Sequence, residues 1–238
     1  MPIYRLGKDP VFPPVELSTE EGILAVGGDL SPERLIIAYS QGIFPWYSQG
    51  EPIIWWSPDP RFVLFPDEIK VSKSMRQVLR RNVFRVTFDQ AFREVIASCQ
   101  RVQRRKQRGT WITREMLDAY CLLHDCGFAH SVEVWQGDDL AGGLYGVSLG
   151  RCFFGESMFA RVGNASKAAL ITLTMRLRER GFLIIDSQVY TEHMESMGAR
   201  EIPRKRYLEI LEEGLMFESL AGSWGSLLES AGEEASGN

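Results

Sequence analysis

The sequence contains no apolar run near the roughly 18 residues a bilayer-spanning helix needs, and its start, MPIYRLGKDP, lacks the basic and apolar regions of a signal peptide. It has no Walker phosphate loop and no G-x-G-x-x-G dinucleotide fingerprint, so nothing points to nucleotide-dependent chemistry. Cysteine is scarce: the four, at 99, 121, 126 and 152, follow no spacing of a disulfide framework, which suits a reducing compartment. Cys121, His124 and Cys126 lie close together, but their intervals match no zinc spacing and no fourth ligand stands nearby. The three histidines, His124, His130 and His193, have no visible Ser or Cys nucleophile to serve and read as structural. The expectation is a cytosolic protein, a monomer, with no metal, no disulfide and no membrane segment.

What is present is ordinary globular material. The 238 residues are 45% apolar and 24% charged, enough for one or two domains with a substantial core. The net charge of −4 conceals an uneven distribution: residues 70–114 hold thirteen Lys or Arg against Asp89 and Glu94, or +11, and the remainder sums to −15. A basic segment inside an acidic protein suits a polyanion such as RNA, because each Lys or Arg facing a phosphate releases condensed counterion. Lys73, Arg76 and Arg80 fall on one face of a predicted helix with Arg81 at its edge, while Met75, Val78 and Leu79 point inward. A merely solvated face is the plain alternative.

The first 62 residues read as a small loop-rich domain. Ser31-Pro32 opens one short helix with Leu35, Ile36 and Tyr39 on its apolar side, and Gly42 closes it. Gly- and Pro-punctuated loops surround it and carry Trp46, Trp55 and Trp56, the last two expected to pack between domains. Residues 63–238 alternate helix and strand patterns: a strand in NVFRVTFD, helices in DQAFREVIASCQRV and TREMLDAYCLLHDCG, then HSVEVWQ, LAGGLYGVSL and CFFGESMFA joined by tight Gly-Asp and Gly-Arg turns. A helix capped at Asn164 or Ser166 and a buried strand, FLIIDSQ, follow. The segment after Arg206 holds seven acids and no base and reads as a frayed tail. The fold class is mixed α/β, with the order of a GNAT-type acyltransferase domain after the small N-terminal one. The nearest match to a coenzyme-A cradle, Ala160, Gly163 and Ala165, lacks its first Arg or Gln, so acetyl-CoA is not expected.

A set of short motifs covers almost the whole chain in order: GGDL, GIFPWY, IWWSPDPR, TWIT, HSVEVW, GGLYG, GESMF, NASK, IDSQ and GAREIPR. Together they resemble the bacterial leucyl/phenylalanyl-tRNA-protein transferases. The resemblance implies an enzyme that moves Leu or Phe, and less readily Met, from aminoacyl-tRNA to the α-amine of proteins beginning with Arg or Lys, generating an N-degron without cofactor. A non-catalytic RNA-binding module and a GNAT-type acetyltransferase are the alternatives.

Three residues are candidates for the chemistry. Asp186 and Gln188 are two apart at a strand end, so on an extended chain both side chains share a face and can touch. By resemblance, Asp186 polarises Gln188, whose amide oxygen accepts the proton of the attacking amine; a polar pair capping the next element is the alternative. Glu156, in the apolar GESMF, needs a partner, and the α-ammonium of the aminoacyl group is suitable. Alternation puts Phe154, Glu156 and Met158 on one face. Leu144, Phe153, Met158, Leu173 and Ile185 are the candidate walls of an apolar side-chain pocket, with core packing as the alternative for each. The resemblance gives Trp46 and Trp111 to the 3′-terminal adenosine, held by stacking.

Overall fold

The computed structural model describes residues 3–102 and 112–225. The chain begins with β1 (Tyr4–Leu6), β2 (Ile23–Gly27), α1 (Pro32–Ser40), β3 (Phe44–Pro45) and β4 (Ile54–Trp56). These strands form a four-stranded sheet in the order β1-β2-β4-β3, where a loop-rich module is expected from the sequence. Strands of two to five residues broken by Gly and Pro carry no alternation, yet their ladders still satisfy the backbone. α1 starts as expected: Ser31 Oγ accepts from Arg34 N and Pro32 is the first helical residue. Trp55 is fully buried, donates to the Gly27 carbonyl at 2.8 Å and packs edge-on against Phe12. Both partners belong to the N-terminal segment.

The chain continues through β5 (Arg61–Leu64), α2 (Lys73–Arg80), β6 (Arg85–Phe88), α3 (Phe92–Arg101), α4 (Arg114–Asp125), β7 (Ala129–Gln136), β8 (Asp139–Leu149) and β9 (Cys152–Ala160). Then follow α5 (Ala165–Glu179), β10 (Ile184–Asp186), α6 (Glu192–Ser196), β11 (Arg200–Ile202) and α7 (Arg204–Leu215). The second sheet has the order β11-β5-β10-β9-β8-β7-β6, with β10 parallel to β9 and the other pairings antiparallel. The expected hairpins β7-β8-β9 are present. Apolar side chains form two clusters, one containing Tyr39, Tyr120, Phe154 and Phe159, the other Phe153, Leu144, Leu173 and Ile185.

Two expectations need correction. Asn164 precedes α5 in a left-handed conformation (φ 73°) and makes no side-chain cap, so it turns the chain rather than satisfying the helix end. The segment after Arg206 is not frayed up to residue 225: α7 buries Tyr207, Ile210 and Leu211, and Trp224 is fully buried. Trp224 stacks on His130 (3.8 Å, 6°), and its backbone N–H donates to Asp89, which also bonds His130 Nδ1. The acids face outward while every third or fourth residue is apolar, so composition alone hides the helix. Residues 226–238 lie outside the described ones.

α2 carries the basic face as expected: Ser72 caps it, Met75 is buried, Val78 and Leu79 are half-buried, and Lys73, Arg76, Arg80 and Arg81 are exposed.

Candidate active site

β10 pairs with β9 only as far as Asp186↔Phe154, while β9 runs on to Ala160. Among the described residues no strand pairs with the remainder of β9 on that side, and a cavity of about 410 Å³ occupies the gap. Leu144, Phe153, Met158, Leu173 and Ile185, the expected pocket walls, all line it, joined by Leu170 and Met194. Glu156, Gln188, Ser187 and His193 bring polar groups to the same space, and Trp46 contributes a half-buried ring tilted 51° against Trp56. Trp111 lies outside the described residues.

A β-bulge places the acid. Tyr145 pairs with Ser157 and the next residue, Gly146, with Gly155, so Glu156 is the extra residue of β9. Gly146 is needed there, because a Cβ on it would lie 2.2 Å from the Phe154 carbonyl oxygen. The bulge reverses the alternation: Phe154 and Glu156 both meet Tyr39, whereas Met158 packs with the cluster of Phe153. The expectation that Phe154, Glu156 and Met158 share one face is thereby overturned. The Glu156 carboxyl accepts from Tyr39 OH (2.7 Å), Tyr120 OH (3.0 Å) and Gln188 Nε2 (3.2 Å), and the two phenols also hydrogen-bond each other.

Asp186 sits behind the cavity rather than in its wall. Its carboxylate is fully buried and receives Arg61 Nε (2.9 Å) and Nη2 (2.7 Å), Tyr207 OH (2.9 Å) and the Gln188 backbone N–H (2.9 Å). The Arg61 guanidinium is buried too, between the rings of Phe44 (4.8 Å) and Tyr207 (4.6 Å), and donates to the Gly42 carbonyl. Asp186 and Gln188 do touch, but through the backbone. At Gln188 φ is 59°, so the chain leaves the extended form and the side-chain amide turns to Glu156 instead of Asp186. With one Nε2 hydrogen given to Glu156, the amide still has its oxygen and a second N–H to offer. Arg61, Tyr39, Tyr120 and Tyr207 were not among the expected site residues. Only Arg61, inside the IWWSPDPR motif, carried any signal.

Burial pushes the Glu156 carboxyl up to about 7, against the opposing hydrogen bonds from Tyr39 and Tyr120. An acid with a folded pKa above its ordinary 4.5 holds a proton that the unfolded chain has lost, so its contribution to stability is full below 4.5 and disappears as pH rises through about 7. Glu156→Gln, which cannot ionise, is therefore expected to gain about 3 kcal/mol over the wild type above that window and little below it, as read by urea unfolding across pH.

The arrangement can receive an apolar side chain, hold an amine at a carboxyl, and offer an amide oxygen to a second amine. Comparison with known proteins gives this a family. Residues 63–212 match the family model described as leucyl/phenylalanyl-tRNA protein transferase, and residues 28–59 match that of its N-terminal domain. A leucyl/phenylalanyl-tRNA–protein transferase of Syntrophus aciditrophicus (strain SB) is 59% identical over 231 residues, 97% of each chain. One of Flavobacterium johnsoniae is 55% identical over 210 residues, 88% of this chain and 99% of the relative. Among solved structures, a GCN5-related N-acetyltransferase from Kribbella flavida gives a TM-score of 0.34 at 7% identity, covering 76% of this chain and 63% of that one. On the two family matches and the identity over nearly its full length, the chain belongs to the leucyl/phenylalanyl-tRNA–protein transferase family.

Proposed function

We propose that this chain is an aminoacyltransferase that moves Leu or Phe, and less readily Met, from aminoacyl-tRNA to the α-amine of proteins beginning with Arg or Lys, generating an N-degron in the cytoplasm. The observation that carries this reading is the apolar cavity ending at Glu156 and Gln188. The donor's side chain enters between Met158, Leu144, Phe153, Leu173 and Ile185, its α-ammonium meets Glu156, and its terminal adenosine stacks on Trp46 and Trp111. The Gln188 amide oxygen accepts an N–H of the acceptor amine, and Asp186, with Arg61, fixes the Gln188 backbone. An aminoacyl ester is already activated, and a terminal α-amine has a pKa near 8, so losing its proton at neutral pH costs only about 1 to 1.5 kcal/mol. Orientation and proton removal then suffice, with no ATP and no metal. Residues 1–62 are read as the small domain and 63–238 as the catalytic one, a boundary that falls inside β5, whose Arg61 and Phe62 already pair with β11, and the enzyme acts as a monomer.

The test is transfer of radiolabelled leucine from charged tRNA to a protein with N-terminal Arg, which this reading expects. tRNA binding without transfer would support an RNA-binding module instead, and acetyl-CoA turnover an acetyltransferase.

Two further results are expected. Arg76, Arg80 and Arg81 changed together to Ala should weaken charged-tRNA binding and flatten its salt dependence by up to about three counterions, while transfer from a minimal aminoacyl-adenosine changes little. A wild-type salt slope would reduce α2 to a solvated face. Met158→Ala enlarges the pocket and should cost Leu transfer more than Phe transfer, because the smaller ligand fills the added space less well; with a methylene worth about 1 to 3 kcal/mol, the difference should reach about tenfold in kcat/KM. Equal losses would make Met158 a packing residue.

A further inference from the structure

Tyr39 on α1 and Tyr120 on α4 are fully buried and do not line the cavity; their hydroxyls meet Glu156, which does. Each hydroxyl touches the carboxyl, Tyr39 at Oε1 and Tyr120 at Oε2, and the two hydroxyls touch each other. Three oxygen–oxygen contacts thus close a ring, and each contact needs one hydrogen. With Glu156 ionised there are only two, one per phenol, and if both point at the carboxylate the phenol oxygens face each other with nothing between. A carboxylic acid supplies the third. It donates to one phenol, that phenol donates to the other, and the second donates back to the remaining carboxyl oxygen, while Gln188 Nε2 still finds Oε1.

Taken singly, each phenol donates to the carboxyl and favours its ionised form; what favours the acid is the third contact, between the two phenols, which two hydrogens leave unmade. Burial holds both phenols well above their ordinary pKa, so neither loses its proton instead. Asp186 on β10 and Arg61 on β5 act on Glu156 in opposite directions and are paired with each other, and Tyr145 on β8 stands edge-on to Tyr120 at 5.7 Å.

We propose that Tyr39 and Tyr120 are positioning residues that hold Glu156 as a neutral acid in the free enzyme, and that arrival of the donor's α-ammonium group ionises it. The second half rests on the reading that the donor amine meets Glu156. In that step the carboxyl O–H bond breaks, the proton leaves to solvent, and the carboxylate pairs with the ammonium; no bond to carbon changes. A buried carboxylate without a cation is costly, and the donor itself brings the cation, so the site carries charge only when it holds a substrate. Donor binding then releases about one proton per molecule below the carboxyl's pKa, and affinity rises with pH in that range.

Two measurements on the full chain test this. Infrared spectra of the unliganded protein should contain the carbonyl band of a protonated carboxylic acid at about pH 6, identified by its absence in Glu156→Gln and titrating near neutrality. In Tyr39→Phe, and separately in Tyr120→Phe, the opened ring leaves a hydrogen of the neutral form without an acceptor, so the midpoint should fall by about one unit or more. A midpoint that stays or rises in both variants overturns the ring, because phenols that only donate to a carboxylate must raise the midpoint when removed. Calorimetry at about pH 6, in two buffers of different ionisation heat and with a non-transferable aminoacyl amide of adenosine, should then read release of about one proton by the wild type and half or less by either variant. An infrared band with the expected shifts but no proton release in the wild type overturns the ionisation step and the donor-amine reading while the ring stands; no band overturns the ring itself.

Discussion

Asp186→Ala is expected to lose about 3–5 kcal/mol of stability together with almost all transfer activity, because it leaves the Arg61 guanidinium charged, buried and unpaired. Neither group has access to water, and the pair is bidentate with a third donor from Tyr207. Removing one partner exposes the other to the full cost of desolvation. The Gln188 backbone N–H loses its acceptor as well, so a residue held at φ 59° loses the contact that fixes it. Asp186→Asn keeps the shape and one or two of the hydrogen bonds, and a fall in turnover of roughly 10²-fold with a smaller loss of stability is expected for it. Urea unfolding beside single-turnover transfer separates the two. Wild-type stability in Asp186→Ala would mean that the Arg61–Asp186 pair adds nothing to the β5–β10 ladder.

Gln188→Ala is expected to do the opposite: little change in stability, a loss of turnover of about 10²-fold or more, and charged-tRNA binding near that of the wild type. The side chain donates to Glu156 and lines the cavity. Gln188→Glu sharpens the test, since it sets a second carboxylate about 3.2 Å from Glu156 and raises the pKa of the pair. If the amide oxygen serves as proton acceptor, this variant keeps activity with a new pH dependence; if the amide N–H to Glu156 is what matters, it is nearly inactive at every pH.

Whereas the acidic composition after Arg206 hides α7, the elements from β6 to β10 are legible in the sequence because their alternation and helical spacing are long enough to register, and because tight Gly turns separate β7, β8 and β9. The N-terminal sheet is not, since strands as short as Phe44–Pro45 hold together only through partners elsewhere in the chain. The site divides the same way. Glu156, Asp186 and Gln188 announce themselves as polar residues in apolar strands, and all five expected pocket residues reach the cavity. Their partners do not: Arg61 is 125 positions from Asp186 and Tyr39 is 117 from Glu156, distances over which no local pattern acts. Tyr39 in particular reads as one more residue of an apolar stripe, and only folding reveals that its hydroxyl, not its ring, meets the acid. Alternation fails at Glu156 because a single extra residue at the bulge changes the parity, and at Gln188 because one positive φ ends the strand.

The central claim, that Glu156 and Gln188 at the end of the apolar cavity carry the transfer step, is tested most directly by single-turnover transfer. Leu-tRNA held at saturating enzyme would be followed as label passing to the α-amine of a protein with N-terminal Arg, for the wild type and for Gln188→Ala. The account predicts rapid labelling by the wild type, none when that α-amine is blocked, and a rate about 10²-fold lower for the folded, tRNA-binding variant. Labelling by Gln188→Ala at the wild-type rate would contradict it.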